Sequence, residues 1–447
     1  MFVAALSIHS QTPPRSAPSD LLQFLDGSTL HGSLAGVDAR HVVHWRHPFA
    51  REAIAFQPRG LHRVRFLQPA PAAPPEADTP ACRLRFANGD EVVGDLLVLD
   101  DAQVVFKTWF GGELTAPRAA VRSLQFIKGR SIVAYEGPTS LTEWNVGQPA
   151  GTWSYRDGVL SATGIGSLGR DVGLPPRGRI EMDLDWSGQL SLLMSIYTES
   201  TRFDFNASGY MFILGPGYVT LQRMQGIRGT THMGQVLVPQ LAERSQIRLE
   251  IRADKEQNSL ALLVDGAQVH QWTDAAGFAG QGTGIAFLSQ RVGPPLNLSN
   301  IRVSSWEGVP PASTTNTEPA TTVVSLVNGD SARGDVKGIR EGRLLLEMNQ
   351  SLLPVPLERV ARVELPGKAA EAPSVAGLVR AELHTGASVT LTIKQWNERE
   401  VSGASPHFGN VTLKPEWIRQ LVFNLDQPKP DKPPIGGRDD FFWPFEK

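Results

Sequence analysis

Four segments of this chain, set in register on a glycine, are copies of one another: LQFLDGSTLHGSL at 22–34, LRFANGDEVVGDL at 84–96, VSLVNGDSARGDV at 324–336 and AELHTGASVTLTI at 381–393. Repetition constrains the fold more than composition does, because each copy must be one supersecondary unit with the same turn and strand chemistry. In the first three copies a second glycine follows the turn glycine by five residues: Gly27 and Gly32, Gly89 and Gly94, Gly329 and Gly334. The fourth has Gly386 but carries Leu391 in the second place. Each copy continues through a strand (HVVHW, AQVVFKTWF, GRLLLEM, REVSG) to a closing run: LHRVRF ending at Phe66, VRSLQF at Phe126, VARVEL at Leu365 and IRQLVF at Phe423. Asn-Gly or Asp-Gly between alternating runs supplies the positive φ angles of a two-residue hairpin turn. A glycine inside the next strand allows strong bending or close backbone approach. About five strands in roughly 45 residues make each copy a small β-barrel.

Between the second and third copies the pattern changes. Residues 131–308 show short β-rich runs with glycine turns and almost no helical periodicity, among them GRIEMDLDW, LSLLMSIYT, GYMFILGPGYVTLQRM, RSQIRLEIRAD and SLALLVDGAQVHQWTD. Runs of that size and spacing predict an all-β sandwich. The expected organisation is an N-terminal segment at 1–20, repeats at 21–68 and 82–128, the sandwich at 131–308, a linker at 309–322, repeats at 323–366 and 378–425, and a Pro-rich, aromatic tail at 426–447. The fold class is all-β, with two small barrels on each side of a sandwich. Segments such as PAPAAPPEADTPA at 69–81 and DQPKPDKPPIGG at 426–437 read as extended linkers. The tail's Phe441, Phe442, Trp443 and Phe445 fit docking on a barrel of the same chain or on another protein.

Two resemblances sharpen this reading. LRFANGDEVVGDLLVLDD, with its two glycines, bent strand and acidic turn, resembles the first motif of the Sm-like family of SH3-like barrels. Members of that family contact RNA through an Asp-x-apolar-Asn turn and a later Arg-Gly pair. This chain has Asp100-Asp101-Ala102-Gln103 at the first place and lacks the second, so nucleic-acid binding is not carried over. In the middle segment, Trp144 followed by WSYRDGVL, the strand ending in Trp186, the hairpin at Asp265-Gly266, GIAFLS and the closing IRVSSWEG resemble the concanavalin A-like jelly roll. The branch it is most similar to is the laminin-G-like and 3-keto-disaccharide hydrolase-like one, which implies an exported bacterial protein and a carbohydrate partner.

Composition narrows function further. A formal net charge of −2 and a pI of about 6.6 supply no global field for nucleic acid or anionic lipid. The single cysteine, Cys82, excludes a disulfide framework and a thiolate-rich zinc site. No run reaches the roughly 18–20 apolar residues of a membrane-spanning helix. Phe2 to Ile8 is a short apolar run with no Lys or Arg before it, which reads as the tail end of a signal peptide or as a frayed terminus. A periplasmic or extracellular location is expected on the first reading.

All five tyrosines lie in the middle segment, and aromatic faces with a polar handle suit sugar rings. Tyr197, Arg202, Asp204, Asn206, Tyr210 and Arg223 are the expected ligand-binding residues. The alternative is that the tyrosines fill the sandwich and the charges form exposed cross-strand pairs. Glu181, Asp183 and Asp185 share one face of a strand, as do the carboxylates of retaining β-glucanases. The preferred explanation is a charged outer face of an edge-like strand, so no catalytic residue is assigned. His31, His41, His44, His47 and His62 cluster in the first repeat, but a spacing of three on a strand puts neighbours on opposite faces, and no metal or cofactor is assigned. GIGSLG at 164–169 is not followed by a helix and implies no phosphate cradle. The expected function is non-catalytic carbohydrate or surface-polymer binding, with the barrels as scaffold, self-association or docking modules. The alternatives are a glycoside hydrolase acting on a disaccharide or glucan, and a purely structural self-assembling protein.

Overall fold

A computed structural model describes residues 20–38, 40–68, 71, 81–127, 133–149, 151–306, 321–366 and 377–425. The N-terminal apolar run, most of the 69–81 and 309–322 linkers and the aromatic tail lie outside the described residues. The chain is all-β, and among the described residues no helix is long and apolar enough to cross a membrane.

The four repeats share one plan. A first strand (Asp20–Phe24, Ala81–Phe86, Val323–Leu326 or Leu378–Leu383) pairs with both the second and the last strand of its own copy. A 3₁₀ turn precedes each last strand: Leu61–Arg65, Val121–Ile127, Val360–Glu364 and Ile418–Val422. The hairpin after the first strand is a three-residue loop, not the two-residue turn expected. In the second copy, Phe86 N donates to Asp90 O at 2.9 Å and Gly89 N to Phe86 O at 3.0 Å, and the other copies repeat both bonds. Left-handed φ falls on glycine alone, at Gly27, Gly89, Gly329 and Gly386, because a type I turn closed by one left-handed residue needs no second positive φ.

The second glycine answers to backbone proximity. A Cβ on Gly32, Gly94 or Gly334 would lie 2.3, 2.5 or 2.3 Å from a carbonyl oxygen of the adjoining strand. The fourth repeat, with Leu391, moves this close approach to its third strand, where a Cβ on Gly403 would lie 2.4 Å from Thr392 O. In the third repeat the second strand divides at Gly334. Ser331–Arg333 stays with the first strand, while Asp335–Arg340 joins Arg343–Met348 and Ser351–Pro356 in a separate sheet.

Sequence order does not give spatial order. The last strands of the first and fourth repeats pair antiparallel (Arg65 opposite Gln420, Val64 opposite Leu421, Arg63 opposite Val422). Those of the second and third repeats pair in the same register (Ser123 opposite Glu364, Leu124 opposite Val363, Gln125 opposite Arg362). Each pairing is two-fold about its central apolar residue, so outer repeats meet each other and inner repeats meet each other. The second and fourth repeats then join the two pairs. Asp90 accepts from Thr390 N and Thr390 Oγ1, both at 2.7 Å, and Phe86 meets Phe408 edge to face at 4.9 Å. One continuous apolar core, with Val64, Leu124, Val363, Leu421, Phe86 and Phe408, runs through all four copies. They form one packed platform.

Residues 133–305 form a two-sheet antiparallel sandwich. One sheet runs Trp153–Arg156, Val159–Ala162, Leu296–Ser305, Arg177–Trp186, Gln246–Asp254, Ser259–Val264, Ala267–Thr273, with Val133–Gly137 also on Leu296–Ser305. The other runs Asn145–Val146, Gly166–Asp171, Gly284–Ser289, Leu192–Thr198, Ser208–Gly215, Tyr218–Gln225, Thr230–Leu237. Alternation puts Ile180, Met182, Leu184 and Trp186 of one sheet against the core with Met194, Phe212, Leu221 and Phe287 of the other.

Candidate functional site

The two outward faces of the sandwich have different fates. Arg177–Trp186 is not an edge strand; it lies between Leu296–Ser305 and Gln246–Asp254, and its charged face is turned to the repeats, with Glu181 buried and Arg179, Asp183 and Asp185 half-buried. Glu181 is 5% exposed and accepts from Arg179 at 3.0 Å and Arg248 at 3.1 Å, with Arg302 3.7 Å away. Asp183 accepts from Arg248 at 3.1 Å and from Asn300, and Arg63 of the first repeat stands 3.9 Å from it. Asp185 accepts from Asn297 at 3.0 Å. Across the seam Arg302 donates to His384 O at 2.7 Å, and Glu136 is 2.6 Å from His384 Nδ1 and 3.7 Å from Arg419.

This arrangement corrects the expectation of a solvated carboxylate face and bears on the hydrolase alternative. Burial alone raises a carboxyl's pKa, but the charges of Arg179, Arg248 and Arg302 outweigh it and hold Glu181 well below the usual carboxylate range. A carboxylate fixed as the anion beneath a protein layer has no proton to give a glycosidic oxygen. Glu181 and Asp183 join the sandwich to the platform.

The histidines of the first repeat disperse. His31 pairs with Asp157 of the sandwich at 2.6 Å, His41 Nδ1 is 3.2 Å from Ile393 O, His44 pairs with Asp38 at 3.2 Å, and His47 Nδ1 accepts from Phe49 N.

The other outward face is free of the platform. Leu193, Met211 and Met224 form a small apolar cluster there, with Ile213, Leu288 and Phe203 packed on it. The chain between Leu192–Thr198 and Ser208–Gly215 folds back across this face. A glycine at 169 makes room for it, since a Cβ there would lie 2.4 Å from Thr201 O. Asn145 Nδ2 donates to Thr201 Oγ1 at 2.6 Å, Asn206 N to Asp204 Oδ1 at 2.8 Å, and Gly226 N to Ala207 O at 3.3 Å, pinning the loop.

Between this loop and the neighbouring turns lies a cleft of about 470 Å³. Phe203 and Phe205, edge to face at 5.1 Å, form one wall; Gln148, Pro149, Thr152, Gly164, Ile165, Gly166 and Ser167 form the other, with Leu288 as floor and Val292 at the rim. Phe205 is 51% exposed, Ile165 52% and Val292 75%. Thr152 Oγ1 is spent on Pro149 O and Ile165 O, whereas the Ser167 hydroxyl has no hydrogen-bond partner among the described residues. No charged side chain lines the cleft.

The sequence-predicted ligand residues divide in two. Arg202, Asp204 and Asn206 are exposed on the loop that carries Phe203 and Phe205. Tyr197, Tyr210 and Arg223 are elsewhere. Both tyrosine rings are fully buried in the sandwich core; Tyr197 donates to Pro175 O at 2.7 Å and Tyr210 to Asp274 Oδ2 at 2.8 Å. Arg223 closes the same corner against Asp274 at 3.1 Å. Burial pushes both phenols up, and neither ring presents a face to solvent. Sequence reasoning missed Phe203, Phe205 and Ser167. The available signal was FDF at 203–205, two aromatics in a stretch with no strand alternation to bury them.

No protein family and no curated protein matches the chain. Among solved structures, the chain is similar to the carbohydrate recognition domain of Emp47p (15% identity, 40% of this chain and 98% of that one, TM-score 0.32). It is similar also to a Bacillus licheniformis β-glucanase (15%, 40% and 99%, 0.30) and to the carbohydrate-binding module CBM66 from Bacillus subtilis (12%, 36% and 92%, 0.24). TM-scores this low carry no statement about activity.

Proposed function

We propose that this is a non-catalytic binding protein whose sandwich takes a carbohydrate or another surface polymer in the Phe203–Phe205 cleft. The observation that carries the reading is the half-exposed Phe205 ring beside Phe203, opposite an unengaged Ser167 hydroxyl, on the sandwich face turned away from the repeats. An aromatic ring stacks on the C–H face of a sugar while a hydroxyl and backbone groups meet its oxygens. With no charge in the lining, the ligand is a neutral sugar unit. The repeats, read as Sm-like small barrels, are the frame that fixes one sandwich face and leaves the other outward, and the protein is an exported bacterial one.

A glycan array probed with the full chain tests this. Neutral glycans should give signals that Phe205→Ala lowers by at least about tenfold, taking as the scale the roughly 1–3 kcal/mol of a nucleic-acid base stacked on an aromatic side chain. No bound glycan, or equal binding by the variant, would refute it.

A second reading, a purely structural assembly, has one observation in its favour: the seam spends the middle of one sandwich face, around Glu181 and Arg302, on the platform. It expects oligomers of the full chain by mass measurement and no glycan signal.

A further inference from the structure

Hydrogen-bonding capacity in the Phe203–Phe205 cleft is small, because the chain itself uses much of it. Of the three polar side chains in the lining, Thr152 turns its hydroxyl onto the wall, 3.0 Å from Pro149 O and 3.3 Å from Ile165 O. Other carbonyls of that wall accept bonds as well: Gly166 O from Trp153 Nε1 at 2.9 Å, Ser167 O from Gly147 N at 2.8 Å and Thr152 O from Thr163 N at 3.1 Å. The other two polar side chains are the Ser167 hydroxyl and the Gln148 amide, on segments joined by the Gly147–Ser167 bond. An amide has several hydrogen-bonding sites, so a bond within the chain does not exhaust it. The rest of the lining is carbon-rich, with Ile165, Leu288 and Val292 facing the two phenylalanines.

A plain hexose is badly matched to such a lining. It carries hydroxyls on nearly every ring carbon, and each one taken from water without a partner is penalised. Two polar side chains serve only a few of them. A methyl group gains from contact with Ile165, Leu288 and Val292, and each apolar carbon so buried raises affinity by about fourfold. An acetamido substituent joins both properties. Its methyl meets the apolar wall, while its N–H donates and its C=O accepts, and a hydroxyl and a primary amide can each do both in return.

We infer that the sugar is an N-acetylated one, a neutral 2-acetamido hexose unit whose ring stacks on Phe205 and whose acetamido group lies among Ser167, Gln148 and the apolar side chains. This rests on the cleft being a sugar site. The free amine of the same sugar is rejected, because its cation would enter a lining that holds no carboxylate.

Isothermal titration of the full chain with chitotriose against cellotriose, which share a linkage and differ in acetamido for hydroxyl, tests the inference, with N-acetylgalactosamine against galactose as the epimeric pair. The acetylated member of at least one pair should bind at least about fourfold more tightly. In saturation-transfer NMR its acetyl methyl should be the most strongly saturated group. Ile165→Ser, at a half-exposed position, should narrow the preference towards one while binding of the plain sugar persists. Sugar binding that Phe205→Ala lowers but that shows no acetamido preference in either pair overturns the inference and leaves the sugar site standing. A methyl that receives no saturation, or a preference for L-fucose over L-galactose in place of the acetamido one, overturns it too. No sugar binding at all overturns both.

Discussion

Glu181→Gln keeps the shape of the side chain and removes its charge, which isolates what this carboxylate does for Arg179, Arg248 and Arg302. In the parent chain it receives two charge-assisted hydrogen bonds at 3.0 and 3.1 Å and faces a third guanidinium at 3.7 Å. Each such bond is worth on the order of 1.5–3 kcal/mol. A neutral amide retains part of that, because its carbonyl still accepts, but its NH₂ is turned on an arginine. Breaking one partner of a buried ion network costs about 3–5 kcal/mol, and that is the expected loss. Urea unfolding followed by tryptophan fluorescence measures it, since Trp153 and Trp186 are buried in the adjoining core. The pH dependence supplies a second check. A carboxyl held below its ordinary 4.5 contributes stability that is complete above pH 4.5 and is lost as the pH falls further, towards its folded value. The gap between parent and variant should therefore be constant from neutral pH down to about 4.5 and shrink below it. A change under about 0.5 kcal/mol at pH 7, the size ordinary for exposed positions, refutes the buried seam.

Asp20 should behave in the opposite sense. It is buried, and burial, only partly offset by backbone hydrogen bonds from Leu67 and Leu34, raises it from 3.8 to about 6, so its ionisation destabilises the fold as the pH rises through 6. Asp20→Asn should gain up to about 3 kcal/mol at pH 8 and nothing below pH 4, as read by thermal unfolding across that range. Leu421→Asp puts a charge opposite Val64 at the centre of the outer two-fold pairing, where both side chains are fully buried. A loss above about 4 kcal/mol, with the chain recovered mainly as aggregate on size exclusion, is expected. A soluble variant of unchanged stability refutes the pairing of first with fourth repeat.

The repeats were legible because turn and bend chemistry is local. Gly27, Gly89, Gly329 and Gly386 announce themselves wherever a left-handed residue is required, and Gly32, Gly94 and Gly334 wherever two strands crowd. Which repeat pairs with which was not legible, since all four closing runs alternate in the same way and any two could pair on periodicity alone. The sandwich was legible from its run lengths. Its charged face was misread because Arg179, Glu181, Asp183 and Asp185 alternate with apolar residues as a solvated face does; only the arrival of Arg63, His384 and Arg419 from distant segments buries Glu181 and leaves the other three half-buried. The tyrosines were overvalued for the same reason. A Tyr that donates to Pro175 O or Asp274 from inside a core has the same letter as one that stacks on a sugar, and the neighbouring phenylalanines in the loop lacked the polar handle that draws attention.

The nested pairing also sets a timetable for synthesis. Asn424 donates to Pro58 O, 366 residues earlier in the chain, beside the strand pairing that joins the first repeat to the fourth. At roughly 5–20 residues per second on the ribosome, the edge at Leu61–Arg65 waits on the order of 20–70 s for its partner to be made. Throughout that interval an apolar strand edge stands open to pairing with another nascent chain. The inner repeats and the sandwich between them can close first, like brackets within brackets, so the first module translated is among the last to be finished. Arg63 and Arg65, flanking Val64 on that waiting edge, put positive charge where premature pairing with a second copy would set like charges together.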